Sequence, residues 1–349
     1  MADQPEIIDP HGHLADAPSE MPKAAWKQIL ARTYKRTWDD NVGLVAAGVA
    51  FYGFFALLSL LGLIVLVYGF FADRGNVVEH MRVLTAILPN DVATLIGDQL
   101  MTAVRSSEGI KGLGILLAIV VALYGGSNGA AAVITALNIA YEEKDTRSLL
   151  RFYVLAVSMT VIAVVVALVA LAGTAALALL QEILPQASPA LITVGEVGGY
   201  VLLAFIAAGI ASVLYRFGPA RENAKWRWIT PGSLFSAISW LILTALFGVY
   251  LSYFTDYDAS YGSLAAAVAL LTWMYFCAYA FVFGAELNSE IEHQTAKDST
   301  TGLPKPLGER GAWAADNVAT DETAQDRPEE VREGERLTQA SPTIAEKEN

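Results

Sequence analysis

Leu123-Tyr-Gly-Gly-Ser-Asn-Gly-Ala-Ala-Ala-Val-Ile-Thr-Ala-Leu-Asn-Ile-Ala-Tyr-Glu142 closes a run, 112–141, that holds no charged residue. A helix of that length crosses the roughly 30 Å apolar core of a bilayer. Gly125, Gly126, Ser127, Asn128 and Gly129 lie near its middle, where a helix facing only lipid would carry Leu or Val. At about 100° per residue, Asn128, Thr135, Asn138 and Glu142 fall within an arc of roughly 80°. Gly125, Gly129, Ala132 and Ala136 supply small residues beside them, so another helix can approach closely. A polar stripe next to a smooth strip implies a partner helix, a cavity, or both. The simpler reading of Ser127 and Asn128 is hydrogen-bonding glue between helices.

Composition places the rest of the chain in the same setting. Of 349 residues, 54% are hydrophobic and 17% charged, and the mean hydropathy is +0.44. These values belong to membrane proteins rather than to two soluble domains. The net charge is −12, which argues against sequence-independent nucleic-acid binding because that needs a basic footprint. Cys277 is the single cysteine; lying in an apolar run, it reads as a packing residue. The first forty residues contain no apolar signal-peptide core, so the first hydrophobic segment is expected to do the targeting and to remain.

In chain order, residues 1–22 are acidic and Pro-containing and are expected to be disordered. Residues 23–38 read as an amphipathic helix, with Trp26, Ile29, Leu30 and Thr33 at helical spacing among Lys27, Arg32, Lys35 and Arg36. Such a helix suits an anionic membrane surface. Spans are expected at about 44–71, 112–141, 152–180, 194–215, 230–254 and 261–285. Asp40 or Asn41 is placed to cap the first, and Pro231 suits the first turn of the fifth. The loop 72–111 reads as two short amphipathic helices outside the membrane, broken at Pro89. Tyr257 and Tyr261 fall at the outer mouth between spans five and six. Residues 294–349 are rich in Glu, Asp, Pro, Thr and Gln and are expected to form a disordered acidic tail. The fold class is therefore all-α integral membrane: a six-transmembrane helix bundle with a helical external loop and disordered tails.

Orientation follows from Lys and Arg beside the spans. Segments 21–43, 142–151, 216–228 and 293–310 hold 15 in 64 residues, whereas 72–111, 181–196 and 255–263 hold 4 in 65. The two sets alternate along the chain, which places both termini in the cytoplasm.

Certain residues resemble a known family. Ala46-Ala-Gly-Val-Ala50-Phe51-Tyr52, Gly125-Gly-Ser-Asn-Gly129, Leu214-Tyr-Arg-Phe-Gly-Pro219 and Pro231-Gly232 are similar to segments of the YihY/BrkB group of bacterial inner-membrane proteins. So are Tyr257-Asp-Ala-Ser-Tyr-Gly-Ser263 and Gly284-Ala-Glu-Leu-Asn288. The likeness covers about residues 25–293. It implies a multi-pass inner-membrane protein linked to envelope integrity, and the group has also carried a ribonuclease label.

The residues do not support that label. RNA hydrolysis needs metal-binding carboxylates or histidines, or an acid–base pair, at an aqueous face. His11, His13, His80 and His293 are scattered. No nucleophile elbow, phosphate-binding loop or dinucleotide fingerprint occurs. The expectation is a protein that is not an enzyme, with no catalytic residue, metal or cofactor. Its partners are expected to be membrane lipids and an envelope-related lipid or small-molecule substrate, not nucleic acid. Polar groups within spans are costly and often functional. Ser127, Asn128, Thr135, Asn138, Glu142 and Glu286 are accordingly expected to border one polar cavity, with Asn128 about 15 Å deeper than Asn138. Asn288 and Glu290 are expected in headgroups or water. A non-transporting scaffold for envelope assembly is the alternative function.

Overall fold

A computed structural model of the protein describes residues 9, 11–71, 113–183, 189–254 and 258–319. The expected external helices of 72–111 and Tyr257 lie outside these residues. Helix α1 spans Lys23–Asp39, α2 Val42–Phe71, α3 Leu113–Ala140 and α4 Leu149–Ile183. Helix α5 spans Pro189–Phe217, α6 Trp226–Phe254, α7 Asp258–His293 and the short α8 Trp313–Asp316. Among the described residues there is no β-strand, only an isolated antiparallel bridge between Ala224 and Thr300.

Six of these helices, α2 to α7, are long and apolar enough to cross a membrane. Lipid offers no hydrogen-bond partners, so each span satisfies its backbone internally as a helix. They contain 28 to 36 residues, or roughly 42 to 54 Å at 1.5 Å per residue. That exceeds the apolar core, so the helix ends project beyond it. Large apolar side chains such as Leu116, Val120, Ile162, Phe205 and Leu246 point outward and exposed; in water they would form an untenable patch, in lipid they are solvated.

The helices pack in a definite order. α2 and α7 form the inner pair; α3 packs on α2, α4 on α3, α6 on α7 and α5 on α6. The densest core gathers at one end. There Val42, Leu137, Tyr141, Tyr215, Ile229 and Val282 are buried together, and the chain segments before α2 and after α7 fold over them. We call this the capped end.

Two sequence expectations fail here. Of the expected tails 1–22 and 294–349, residues 11–22 and 294–319 are ordered parts of the cap, and 1–8, 10 and 320–349 lie outside the described residues. The Arg310 guanidinium donates to the carbonyls of Ala296 (2.8 Å), Lys297 (3.2 Å) and Ala315 (2.7 Å). Asp316 accepts the N–H groups of Gly308, Arg310 and Gly311. The N–H of Ala296 donates to His13 O, and that of Thr301 to Asn223 O, each at 2.8 Å. These segments are too polar to form a core alone, but the bundle end supplies partners for their backbone. Helix α1 also departs from a simple surface role. Its Ala25 and Ile29 pack with Leu287 and Ile291 of α7 and Trp228 of α6. Leu30, Tyr34 and Trp38 remain exposed on its other side.

Candidate functional site

The glycine-rich centre of α3 is a contact surface on two sides. A Cβ at Gly125 would run into Ser59 of α2, and one at Gly129 would stand 3.1 Å from Ala56 Cβ. A Cβ at Gly126 would meet Thr160 of α4. Ala132 is half-buried and Ala136 lies in the core of the capped end. Beside this contact lies a cavity of about 610 Å³ bounded by α2, α3, α4 and α7, with Leu214 of α5 also in its wall. Gly53, Leu60, Gly126, Val133, Trp273 and Cys277 are among its walls, and its lining is almost wholly apolar.

The polar residues picked from the sequence do not converge on that cavity. Ser127 is buried and donates to Tyr124 O at 3.0 Å, within its own helix. Asn128 is half-buried and is not among the cavity walls. Thr135 is exposed and returns its hydroxyl to Ala131 O at 2.9 Å. Its 3.6-residue register turns it out of the bundle. Asn138 is buried but fully engaged: its Nδ2 donates to Asp145 Oδ2 at 3.0 Å, and its Oδ1 accepts the Ala220 N–H at 2.7 Å. It fastens the α3–α4 and α5–α6 connections rather than facing open space. Arg147 completes that knot, donating to Asp145 and to Gly218 O. Hydrogen bonding from Arg147 holds the Asp145 carboxyl below its ordinary value. A single cavity bordered by Asn128, Asn138 and Glu286 is therefore corrected to two regions: an apolar cavity and a polar cap. The side chain of Tyr261 falls outside the described features.

Glu142 and Glu286 do come together, in a charged cluster at the capped end. Glu142, in the turn just after α3, has φ +55°, a left-handed conformation uncommon for a side-chain-bearing residue, and pairs with Arg36. Arg36 also reaches Glu290 at 3.4 Å. Arg32 donates to Glu290 at 2.6 Å and to Gln294 Oε1 at 2.6 Å. Glu286 is 2% exposed, its Oε1 has no hydrogen-bond partner, and the same holds for Asp40 Oδ2. Asp40 adjoins Glu286 at the α1–α2 junction. Its carboxyl is pushed up to about 6, first by burial and then by the nearby Glu142 charge, with Arg36 opposing.

Sequence reasoning missed Asp40, Arg32, Arg36 and Glu290 as site residues, and it placed Glu290 and Asn288 in headgroups or water. Both are buried. Asn288 accepts the Gly232 N–H at 2.7 Å and donates to Ile229 O at 2.9 Å. It thereby serves backbone groups around Pro231, which lacks an N–H and breaks the ladder of α6. A signal for the charged cluster did exist. Arg32 and Arg36 are one turn apart on α1, as Glu286 and Glu290 are on α7, the spacing that puts each pair on one face. Nearby, Arg221 and Glu292 form a buried pair at 2.6 Å, with Ser299 donating to Glu292 and the Tyr141 ring 4.9 Å from the guanidinium. Removing either partner would strand a buried charge, at a cost of about 3–5 kcal/mol.

Comparison with known proteins adds a lineage to this geometry. A family model described as virulence factor BrkB matches residues 33–307. The ribonuclease-like protein YfkH of Bacillus subtilis (strain 168) is 29% identical over 174 residues, 49% of this chain and 63% of that protein. A UPF0761 membrane protein of Rhodospirillum centenum is 22% identical over 312 residues, 85% of this chain and 64% of that protein. One from Alteromonas mediterranea is 27% identical over 290 residues, 78% of this chain and 91% of its own length. The chain thus spans less than two thirds of the first two relatives. No solved structure matches the chain.

Proposed function

The chain belongs to the BrkB virulence-factor family, and from that premise we propose that it binds and translocates a lipid, or another envelope-related molecule with a long apolar part, in the bacterial inner membrane. The observation that carries this reading is the cavity of about 610 Å³ among five membrane helices. Its size is that of a ligand site, and its lining suits hydrocarbon while offering little to a polar solute. In this reading the capped end and both termini are cytoplasmic, as the Lys and Arg distribution requires, and the protein performs no catalytic step. Linkage to envelope integrity follows from moving such a molecule. The scaffold reading is favoured by one observation: the capped end is closely packed, with Asn138 and Asn288 locked by their hydrogen bonds.

Phospholipids with a photoreactive group on the acyl chain separate the two. In liposomes containing the purified protein, they should crosslink to the cavity walls on α2, α3 and α7. A fluorescent phospholipid should cross the bilayer several-fold faster than in protein-free liposomes. Filling the cavity with C277W should reduce both signals several-fold while the protein stays monodisperse. Crosslinks confined to the outer helix faces, with no acceleration, would leave the scaffold reading in its place.

A further inference from the structure

The charged cluster of the capped end contains more acid than its cations match. Asp40, Glu142, Glu286 and Glu290 face one another, with Asp39 at the rim. The cations turned toward them are Arg32 and Arg36 of α1. Both are committed: Arg32 to Glu290 and Gln294, Arg36 to Glu142 and Glu290. His293, one turn along α7, holds Glu290 at 3.3 Å. Glu142 and Glu290 are therefore paired, whereas Asp40 and Glu286 meet each other with a buried, unpartnered oxygen on each.

Asp40 is half-buried and Glu286 fully so, and Arg36, the cation nearest both, is already paired with Glu142; ionised together the two carboxylates repel, and one proton shared between them removes the repulsion and satisfies an acceptor. We propose that Asp40 and Glu286 together form a binding site for one exchangeable proton. The described residues hold no group of three or more His, Cys, Asp or Glu spaced for a metal ion, so the proton is the occupant the geometry favours over a cation. The elevated proton affinity of Asp40 agrees with this, and the two carboxyls titrate as a pair.

The site lies on a mechanical seam. Asp40 ends α1 and leads, through Asn41 at φ +50°, into α2. Glu286 belongs to α7, against which both α1 and α2 pack. Release of the proton to water leaves two adjacent carboxylates that push the α1–α2 junction away from α7 and loosen the cap. Proton occupancy thereby sets how firmly this end is closed. The inference does not rest on the lipid-handling reading, because the proton binds whether or not a lipid moves.

Infrared difference spectroscopy on the full chain in lipid nanodiscs, titrated from pH 5 to pH 9, tests it directly. The wild-type protein should show a protonated-carboxyl stretch that shifts on deuteration and is lost as pH rises. Carbon-13 labelling of all Asp, or of all Glu, in the wild-type protein should each move that band, because the proton is shared. D40N and E286Q should each abolish its pH dependence, and E222Q, on an exposed loop, should leave it intact. If either variant fails to fold, the labelled wild-type protein decides alone. Absence of the band, a band indifferent to both labels, or a sodium-dependent change in its place would overturn the proposal.

Discussion

At the scale of single residues, Asp40 has the most to say about pH. Its carboxyl is raised from an ordinary 3.8 to about 6. Between those values the folded protein keeps a proton that the unfolded chain has lost, so folding is favoured at the acid end and stability falls as pH rises through the window. Asparagine in its place mimics the protonated acid and has no such slope. Thermal melts of D40N should therefore match wild type near pH 4 and lie above it at pH 7.5. A wild-type melting temperature that rises from pH 4 to pH 6 in parallel with D40N would contradict this account of the site. Glu290 shows the opposite logic. It is as buried as Glu286, but two arginines and His293 surround it, so it needs no proton.

At the scale of elements, the seam between α2 and α3 depends on side chains that are missing. Leucine at Gly125 must displace Ser59, and leucine at Gly129 must displace Ala56. Interhelical contacts in membranes are worth roughly 0.6–2 kcal/mol, and a clash against a close-packed neighbour adds to that. Both G125L and G129L should melt lower in detergent, G125L by more, since its Cβ also approaches Ser59 Cβ to 2.7 Å. Equal melting of all three proteins would move this strip out of the helix seam. Helix α7 shows a second elementary effect. The last span is expected to end near residue 285, just before Glu286, yet the helix runs to His293. Arginines from α1 pair with Glu290 and Arg221 of the α5–α6 connection pairs with Glu292, so the helix continues into the cap rather than into water.

At the scale of the whole molecule, the Lys and Arg asymmetry predicts which end faces the cytoplasm. In a C277A background, cysteine at Ala259 should react with an impermeant thiol reagent added to intact cells, and cysteine at Lys144, exposed at the capped end, should react only after permeabilisation. The reverse pattern would invert the protein in the membrane. Much of the architecture was legible without coordinates. Long uncharged runs, glycines at helical spacing and the alternation of basic loops are sums over neighbouring residues, and lipid leaves the backbone of such runs only the helix. Those local sums determined six spans and their membrane setting from the sequence alone. They could not determine which residues far apart in the chain would face each other. Arg32 and Glu290 stand 258 positions apart, and Glu286 meets Asp40 only because α1 and α2 pack on α7. Thr135 and Asn138 occupy neighbouring turns of α3, yet one faces out and the other fastens two loops, since packing sets each helix's rotation about its axis. Residues 294–319 look disordered when judged by their own composition, and they are ordered because other segments supply their hydrogen-bond partners. Tertiary structure alone decided these matters, because the energy of a buried charge or an unsatisfied backbone group depends on what touches it and not on its neighbours in sequence.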